Sequence, residues 1–317
     1  MSLPPQLESR LSIPAICAPL FIVSVPELVI AACKAGVVGS FPALNARPIE
    51  ELEAWLKQVG GALAGGQGAP HAVNLIVHRT NTRLAQDLAL TVKYEAPMVI
   101  SSVGHPGPVV EAVHGYGGLV FADVIHIHHA KKALDAGVDG LILVCAGAGG
   151  HAGTLSPFAM VRQVREFWDG PLVLAGAISD GAGIAAARAL GADLAYLGTR
   201  FIATREANAD AGFKQMIVDS SAVDIVYTEA VSGIKGNFLR PSLEAAGLDL
   251  DTLPTGKEID MGDELNSESK AWKDIWSAGQ GVGSIHDVPS VAELVARLKA
   301  EYEAAWAVAP TARAGAA

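Results

Sequence analysis

Short apolar runs alternate with longer amphipathic segments along the first two thirds of the chain. Within each run, apolar residues follow one another directly instead of occupying every second position. This is the pattern of parallel strands that are covered on both faces. Eight runs are predicted to be strands: Ile13–Phe21, Gly36–Phe41, His71–His78, Pro97–Val103, Gly118–Val124, Asp139–Val144, Pro171–Ala177 and Asp193–Phe201.

The segments between these runs have the apolar spacing of helices that cover one face of a sheet. The predicted helices are Val25–Ala35, Ile49–Val59, Thr80–Tyr94, His129–Ala136, Pro157–Trp168 and Ala182–Leu190. Strands and helices that alternate eight times predict an α/β fold, a (β/α)8 TIM barrel. A doubly wound open sheet is the main alternative. It is disfavoured because eight strands would make an unusually large sheet and because no GxGxxG motif follows the first strand.

The alternation stops near Glu206, which divides the sequence into three parts. Residues 1–205 are predicted to form the barrel core. Residues 206–280 are more polar and are predicted to form a small, mostly helical subdomain over the C-terminal face, as a candidate lid. Residues 281–317 are predicted to supply a helix over Val288–Ala305 that returns to the barrel, followed by a disordered tail.

Composition narrows the classes of function. The chain has 317 residues, of which 50% are hydrophobic and 18% charged, as in a folded globular protein. Its formal net charge of −10 argues against binding to nucleic acid or to an anionic membrane surface. The N-terminus lacks the basic-then-apolar order of a signal peptide, and no apolar run reaches membrane-spanning length, so a cytoplasmic location is expected. A homodimer remains open as an assembly.

Two glycine-containing strand ends predict a site for a phosphate group. The seventh run ends in Ala175-Gly176-Ala177 and opens a helix, and the eighth ends in Leu197-Gly198-Thr199. In a (β/α)8 barrel, backbone amides at the tips of the last two strands commonly bind phosphate, and the Thr199 hydroxyl adds a donor. Either glycine alone is explained as well by a tight turn, but the pair favours a phosphorylated cofactor or substrate.

His151 is the strongest candidate for chemistry. It directly follows the sixth strand within the sequence AGAGGHAG, where small residues let a flat ligand approach the backbone. An imidazole in that position can act as a general base or acid. Asn74, inside the third apolar run, faces either a ligand or neighbouring backbone.

The remaining polar motifs indicate no second site. His126, His128 and His129 have no accompanying HExxH motif, so no metal site is predicted. The cysteines Cys17, Cys33 and Cys145 are widely separated in apolar surroundings and are interpreted as reduced core thiols.

Three segments of the chain resemble the nitronate monooxygenase family, formerly called 2-nitropropane dioxygenases, which are FMN-dependent (β/α)8 barrels related to flavin-type enoyl-acyl carrier protein reductases. Residues 146–153 resemble the family pattern AGGHxG, and residues 175–181 resemble AGGI[SA][DT]G. Residues 187–204 read ARALGADLAYLGTRFIAT and resemble the pattern that ends in GTRF. The resemblance resumes weakly over residues 232–241 and 278–281.

The resemblance implies an FMN cofactor and a catalytic role for His151. The residues that it implies around FMN are Ala18, Pro19, Leu20, Asn74, Gly149, Gly150, Gly176, Ala177, Tyr196, Leu197, Gly198 and Thr199. The implied reaction is the oxidation of a nitronate or nitroalkane by O2, with His151 as the base.

The sequence departs from the family pattern at several positions. Ala177 replaces a glycine, Tyr196 replaces a glutamine, and Asp123 stands where many members carry a lysine. These changes leave open an NAD(P)H-dependent reductase on the same barrel, acting on a quinone or an enoyl thioester. A barrel that binds a sugar phosphate, as lyases and isomerases do, is a third alternative.

Overall fold

Eight parallel strands close into a barrel in the computed structural model, which describes residues 3–66, 68–253 and 275–308. The predicted (β/α)8 barrel is therefore confirmed. Going around the barrel, the strands are β1 (Ala15–Cys17), β2 (Val38–Pro42), β3 (His71–Ile76), β4 (Met98–Ser102), β5 (Leu119–Val124), β6 (Gly140–Val144), β8 (Leu172–Ala175) and β9 (Leu194–Leu197). The seventh and eighth barrel strands are β8 and β9 because the short strand β7 (Gly150–His151) belongs to a second sheet.

Helices precede, connect and follow the barrel strands, and the apolar spacing predicts most of those that connect them. They are α1 (Pro5–Glu8), α2 (Pro26–Ala35), α3 (Ile49–Ala62), α4 (Leu84–Lys93), α5 (Gly107–His114), α6 (Ile127–Asp135), α7 (Pro157–Val164), α8 (Gly181–Leu190) and α9 (Thr199–Ile202). Of these, α1 and α9 were not predicted, and α5 is the helix that the alternation requires between the fourth and fifth predicted strands, for which no bounds were given. Local signals set the helix ends: Pro26 opens α2, and Gly36, in the left-handed conformation, ends it. The Asp180 side chain accepts a hydrogen bond from the Gly183 amide and caps α8.

The hydrophobic core of the barrel has two parts, one inside the barrel and one between the strands and the helices. Alternate residues of each strand point inward, so β4 contributes Met98 and Ile100, and β5 contributes Leu119 and Phe121, to the interior. Leu3 and Leu7 join this interior cluster from the N-terminal segment. The interior is therefore packed with side chains and is not a pore.

A second, antiparallel sheet lies beyond the barrel, with the order β10 (Ile225–Thr228), β11 (Gly236–Leu239), β7. The hydrophobic pattern did not predict this sheet within residues 206–280. Their described part also holds α10 (Ala211–Asp219) and α11 (Arg240–Ala245). Residues 254–274 lie outside the described residues, so the subdomain as a unit stays a prediction.

The predicted return of the chain to the barrel is α12 (Val291–Val308), which packs against α8 and α2. The contact with α8 is close, since a Cβ atom on Gly181 would lie 2.3 Å from the Tyr302 amide nitrogen. The Gly181 amide also donates to the Glu301 carboxylate at 2.8 Å. Residues 309–317, which include most of the predicted tail, lie outside the described residues. No described helix is both long and apolar enough to cross a membrane.

Candidate active site

A cavity of about 430 Å³ opens at the C-terminal ends of the barrel strands. Twelve of the thirteen predicted site residues line it: Ala18, Pro19, Leu20, Asn74, Gly149, Gly150, His151, Gly176, Ala177, Tyr196, Gly198 and Thr199. Leu197 does not. Its side chain is fully buried in the core outside the barrel, and its carbonyl accepts a hydrogen bond from the Ala18 amide at 2.9 Å.

The strand ends of β8 and β9 form one side of the cavity. Gly176 and Ala177 both have positive φ, of 135° and 54°, so the chain turns sharply after β8. Gly198 precedes the short helix α9, and the Thr199 hydroxyl oxygen accepts a hydrogen bond from the Gly279 amide at 2.8 Å. Because that contact uses a lone pair, the Thr199 hydroxyl proton stays available to a ligand.

The glycine-rich loop after β6 packs directly on the loop that contains Gly279. A Cβ atom on Gly149 would lie 2.8 Å from the Gly279 nitrogen, and one on Gly279 would lie 2.5 Å from the Gly147 carbonyl oxygen. The Gln280 amide donates to that same carbonyl at 2.9 Å. Both loops therefore need a glycine at this contact. This requirement explains why the sequence resembles the family at residues 278–281 as well as in the glycine-rich loop.

His151 is held by a strand pairing that sequence reasoning missed. In the second sheet, His151 pairs with Gly236, and Gly150 pairs with Asn237. The Asn237 side-chain amide donates to the Ala148 carbonyl at 2.6 Å. A Cβ atom on Gly236 would lie 2.8 Å from the Gly150 carbonyl oxygen, so a glycine is required for this approach. The motif at residues 232–241 is thus the support for the histidine.

The His151 ring is fixed by Ser232, whose hydroxyl oxygen lies 2.9 Å from Nε2. The same hydroxyl lies 3.2 Å from the Ile234 carbonyl, to which it donates. A hydroxyl has one proton, and Ser232 uses it to donate to Ile234. The Ser232 oxygen therefore accepts from His151 Nε2, which carries the imidazole proton. Burial lowers the pKa of His151 to about 4. The imidazole is therefore neutral at neutral pH and has a lone pair that can accept a proton, but its lowered pKa makes it a weaker base than a free imidazole.

Polar side chains replace the apolar interior where β3, β4, β5 and β9 reach the cavity. Asn74 donates to Ser102 Oγ at 2.7 Å, and Ser102 donates to Asp123 Oδ2 at 2.5 Å. Burial raises the pKa of Asp123 to about 7, although the Ser102 hydrogen bond lowers it. The Tyr196 hydroxyl and Asp123 Oδ1 have no hydrogen-bond partner in the described part of the chain.

This polar layer was only partly predicted. The sequence marks Asn74 as an amide inside an apolar strand, and it marks Asp123 and Tyr196 as departures from a family pattern. Ser102 and Ser232 were missed because a lone serine has no distinctive signal. Their only sequence signal is position, since Ser102 ends a barrel strand and Ser232 begins the motif at residues 232–241.

Comparison with known proteins identifies the family to which the chain is similar. A family model described as nitronate monooxygenase matches residues 9–301. A curated nitronate monooxygenase of Paraburkholderia phytofirmans is 30% identical and covers 92% of each chain. Among solved structures, nitroalkane oxidase from Streptomyces ansochromogenes has a TM-score of 0.79 at 24% identity, covering 95% of this chain and 99% of that one. FabK from Thermotoga maritima has a TM-score of 0.80 at 23% identity, covering 95% and 96%.

The two structural likenesses concern the fold alone because their sequence identities are low. The family match spans residues 9–301, which include the glycine-rich loop, His151 and both strand ends at β8 and β9, and the curated relative covers 92% of the chain. On that evidence, the chain belongs to the nitronate monooxygenase family and is an oxidoreductase.

Proposed function

We propose that this protein binds FMN and uses it to oxidise nitronates or nitroalkanes with O2. The observation that carries the proposal is the position of His151 on the cavity wall, held by β11 and Ser232 beside bare backbone. Nitronate oxidation is the activity in the name of the relative from Paraburkholderia phytofirmans. The resemblance of the sequence motifs to FMN-dependent enzymes supports the choice of cofactor.

The residues present fit a flavin mononucleotide. The cavity, at about 430 Å³, lies within the range of roughly 300–1,000 Å³ that is usual for such ligands. Gly176, Ala177, Gly198 and Thr199 would hold the phosphate through backbone amides and the threonine hydroxyl. Asn74, Gly149 and Gly150 would border the ring, and residues 18–20 would run beneath it. Bound flavin supplies the electron acceptance and the reaction with O2 that no side chain provides.

His151 would supply the proton chemistry. A neutral nitroalkane must lose a proton from the carbon next to the nitro group before it can give up electrons. The neutral imidazole can accept that proton, and the Ser232 contact keeps the ring in one orientation. A nitronate is already ionised, so it needs no base. We therefore expect His151 to matter more for neutral nitroalkanes than for nitronates.

The deciding experiment is anaerobic mixing of the FMN-loaded protein with either propionate 3-nitronate or NADH. Loss of the oxidised-flavin absorbance with the nitronate alone is the expected result. Bleaching by NADH alone would overturn the oxidase proposal and favour the reductase alternative. A purified protein that stays colourless after FMN is added would overturn the flavin proposal and favour a sugar-phosphate ligand.

A further inference from the structure

A chain of hydrogen bonds crosses the floor of the cavity on three adjacent strands. Asn74 of β3 donates to Ser102 of β4, which donates to Oδ2 of Asp123 on β5. Asn74 also donates to the Ile100 carbonyl at 3.0 Å, so its amide is anchored to the barrel wall. Donation by Ser102 occupies Oδ2 and leaves Oδ1 as the oxygen that can carry a carboxyl proton.

Two polar atoms at this floor lack the partners that buried groups normally have. Asp123 Oδ1 and the Tyr196 hydroxyl are buried, and neither makes a hydrogen bond within the described residues. Tyr196 is only 9% exposed, and both side chains line the cavity. Leaving such buried atoms unpaired is unfavourable, and a ligand bound in this cavity can supply their partners.

The charge state of Asp123 follows from its neighbours. No lysine or arginine is among the described residues that line the cavity. A buried carboxylate without a cation is unfavourable, and the neutral acid avoids that cost. The neutral acid is also a donor, whereas the carboxylate is an acceptor only. A flavin ring presents mainly acceptor atoms, namely its carbonyl oxygens and ring nitrogens, along one edge.

We propose that Asp123 is kept as a neutral carboxylic acid by its surroundings and, with the Tyr196 hydroxyl, donates hydrogen bonds to the flavin ring. This inference rests on the proposed FMN cofactor. It assigns a flavin-binding role to a residue that stands where a lysine is common in the family. Ionisation of Asp123 would replace a donor by a negative charge next to the ring and so weaken flavin binding.

The pKa values or the exposure of the other titratable groups near Asp123 distinguish them from Asp123. Burial raises the pKa of Tyr196 on β9 and of Cys17 on β1, so both stay neutral when Asp123 titrates near pH 7. His151 on β7, with a pKa of about 4, is neutral over the same range. Asp210, at the cavity rim, is exposed, and its carboxylate caps α10. A change near pH 7 is therefore expected from Asp123.

The test is the dissociation constant of FMN, measured by fluorescence quenching between pH 5.5 and 8.5. We expect the FMN affinity of the wild type to fall as the pH rises. The fall should be about tenfold larger than the fall measured for Asp123→Asn. The asparagine keeps the size of the side chain and one permanent donor. Comparing the two proteins cancels the ionisation of the FMN phosphate. Asp135→Asn removes an exposed carboxylate at the end of α6 and should behave as the wild type.

A second variant guards against a misfolded Asp123→Asn protein. Because the Ser102 hydrogen bond favours the ionised carboxyl, Ser102→Ala should move the pH-dependent loss of binding to higher pH. Tyr196→Phe should weaken binding by about tenfold at every pH. Equal pH profiles for the wild type and Asp123→Asn, or an unmoved profile in Ser102→Ala, would overturn the role of Asp123 alone. No FMN binding by the wild type at any pH would overturn this inference together with the proposed cofactor.

Discussion

The two ends of the barrel are built from the same strands but differ in chemistry. On β4, Met98 and Ile100 are followed two residues later by Ser102, and on β5, Phe121 is followed by Asp123. Each step of two residues stays on the inward face and moves toward the mouth. The closed end is filled with apolar side chains, including Leu7, whereas the open end carries polar groups and a cavity. The closed end is an apolar core, and the candidate ligand site is at the open end.

Two histidines show why position matters more than pKa. Burial lowers the pKa of both His71 and His151 to about 4, with a further contribution from Arg10 at His71. His71 is the first residue of β3, at the closed end, and does not line the cavity. His151 is on the cavity wall beside Ser232. A lowered pKa therefore reports burial, and only the surroundings of the ring point to chemistry.

The largest expected effect is a loss of turnover when His151 is replaced but not when His71 is replaced. His151→Asn should lower turnover of a neutral nitroalkane by about 10²- to 10⁴-fold, because the group that accepts the proton is lost. Turnover of a nitronate should fall less, since that substrate is already ionised. The measurement is steady-state oxygen consumption by the FMN-loaded protein.

His71→Asn is the matched control, with the same substitution at the other end of the barrel. We expect it to bind FMN and turn over both substrates as the wild type does. If the two variants lost activity equally, the assignment of His151 as the base would be wrong. The FMN dissociation constant of His151→Asn should stay within a few-fold of the wild type.

The next prediction concerns the closed end. Leu7 is 1% exposed and packs into the barrel interior. Leu7→Ala should lower the free energy of unfolding by about 2–4 kcal/mol, because a buried side chain is lost and a cavity remains. Denaturant unfolding measures this change. FMN affinity should not change, and a large loss of affinity would show that the two ends are coupled.

Much of the fold was predictable, because local apolar spacing predicts each barrel strand and most of the helices. The mouth was predictable where glycines cluster, as at Gly149 and Gly176. The second sheet was not, since β7 has two residues and its pairing with β11 joins positions far apart in the sequence. The same holds for Asn74, Ser102 and Asp123. Each looks like one polar interruption of an apolar strand, and only barrel closure brings them together.

A smaller effect is expected at acid pH, where His71 and His151 should contribute equally to the loss of unfolding free energy. Their folded pKa of about 4 lies below the ordinary value of 6.5. The unfolded chain therefore binds protons first, and stability is lost as the pH falls from 6.5 to 4. His71→Asn and His151→Asn should each reduce this loss by on the order of 2 kcal/mol. Urea unfolding at pH 7 and pH 4.5 measures it. If only one variant showed a smaller loss of unfolding free energy in acid, the two histidines would not be equivalent in stability.

The smallest effect concerns backbone strain at the mouth. Four described residues other than glycine have positive φ, and three of them, Ile22, Val103 and Ala177, line the cavity. Ala177, at φ 54°, occupies a conformation that costs an L-residue roughly 1–2 kcal/mol and glycine almost nothing. Ala177→Gly relieves this strain but gains freedom in the unfolded state. We expect a net stabilisation of about 0.5–1 kcal/mol.

Thermal unfolding of Ala177→Gly checks this sign against Ala186→Gly, an exposed position inside α8. The helical control should lose about 1 kcal/mol, because glycine is a poor helix former. Opposite signs for the same substitution would locate the strain at the mouth of the barrel. Destabilisation of both variants would mean that Ala177 is not strained, and the mouth would then differ from the closed end in polarity only.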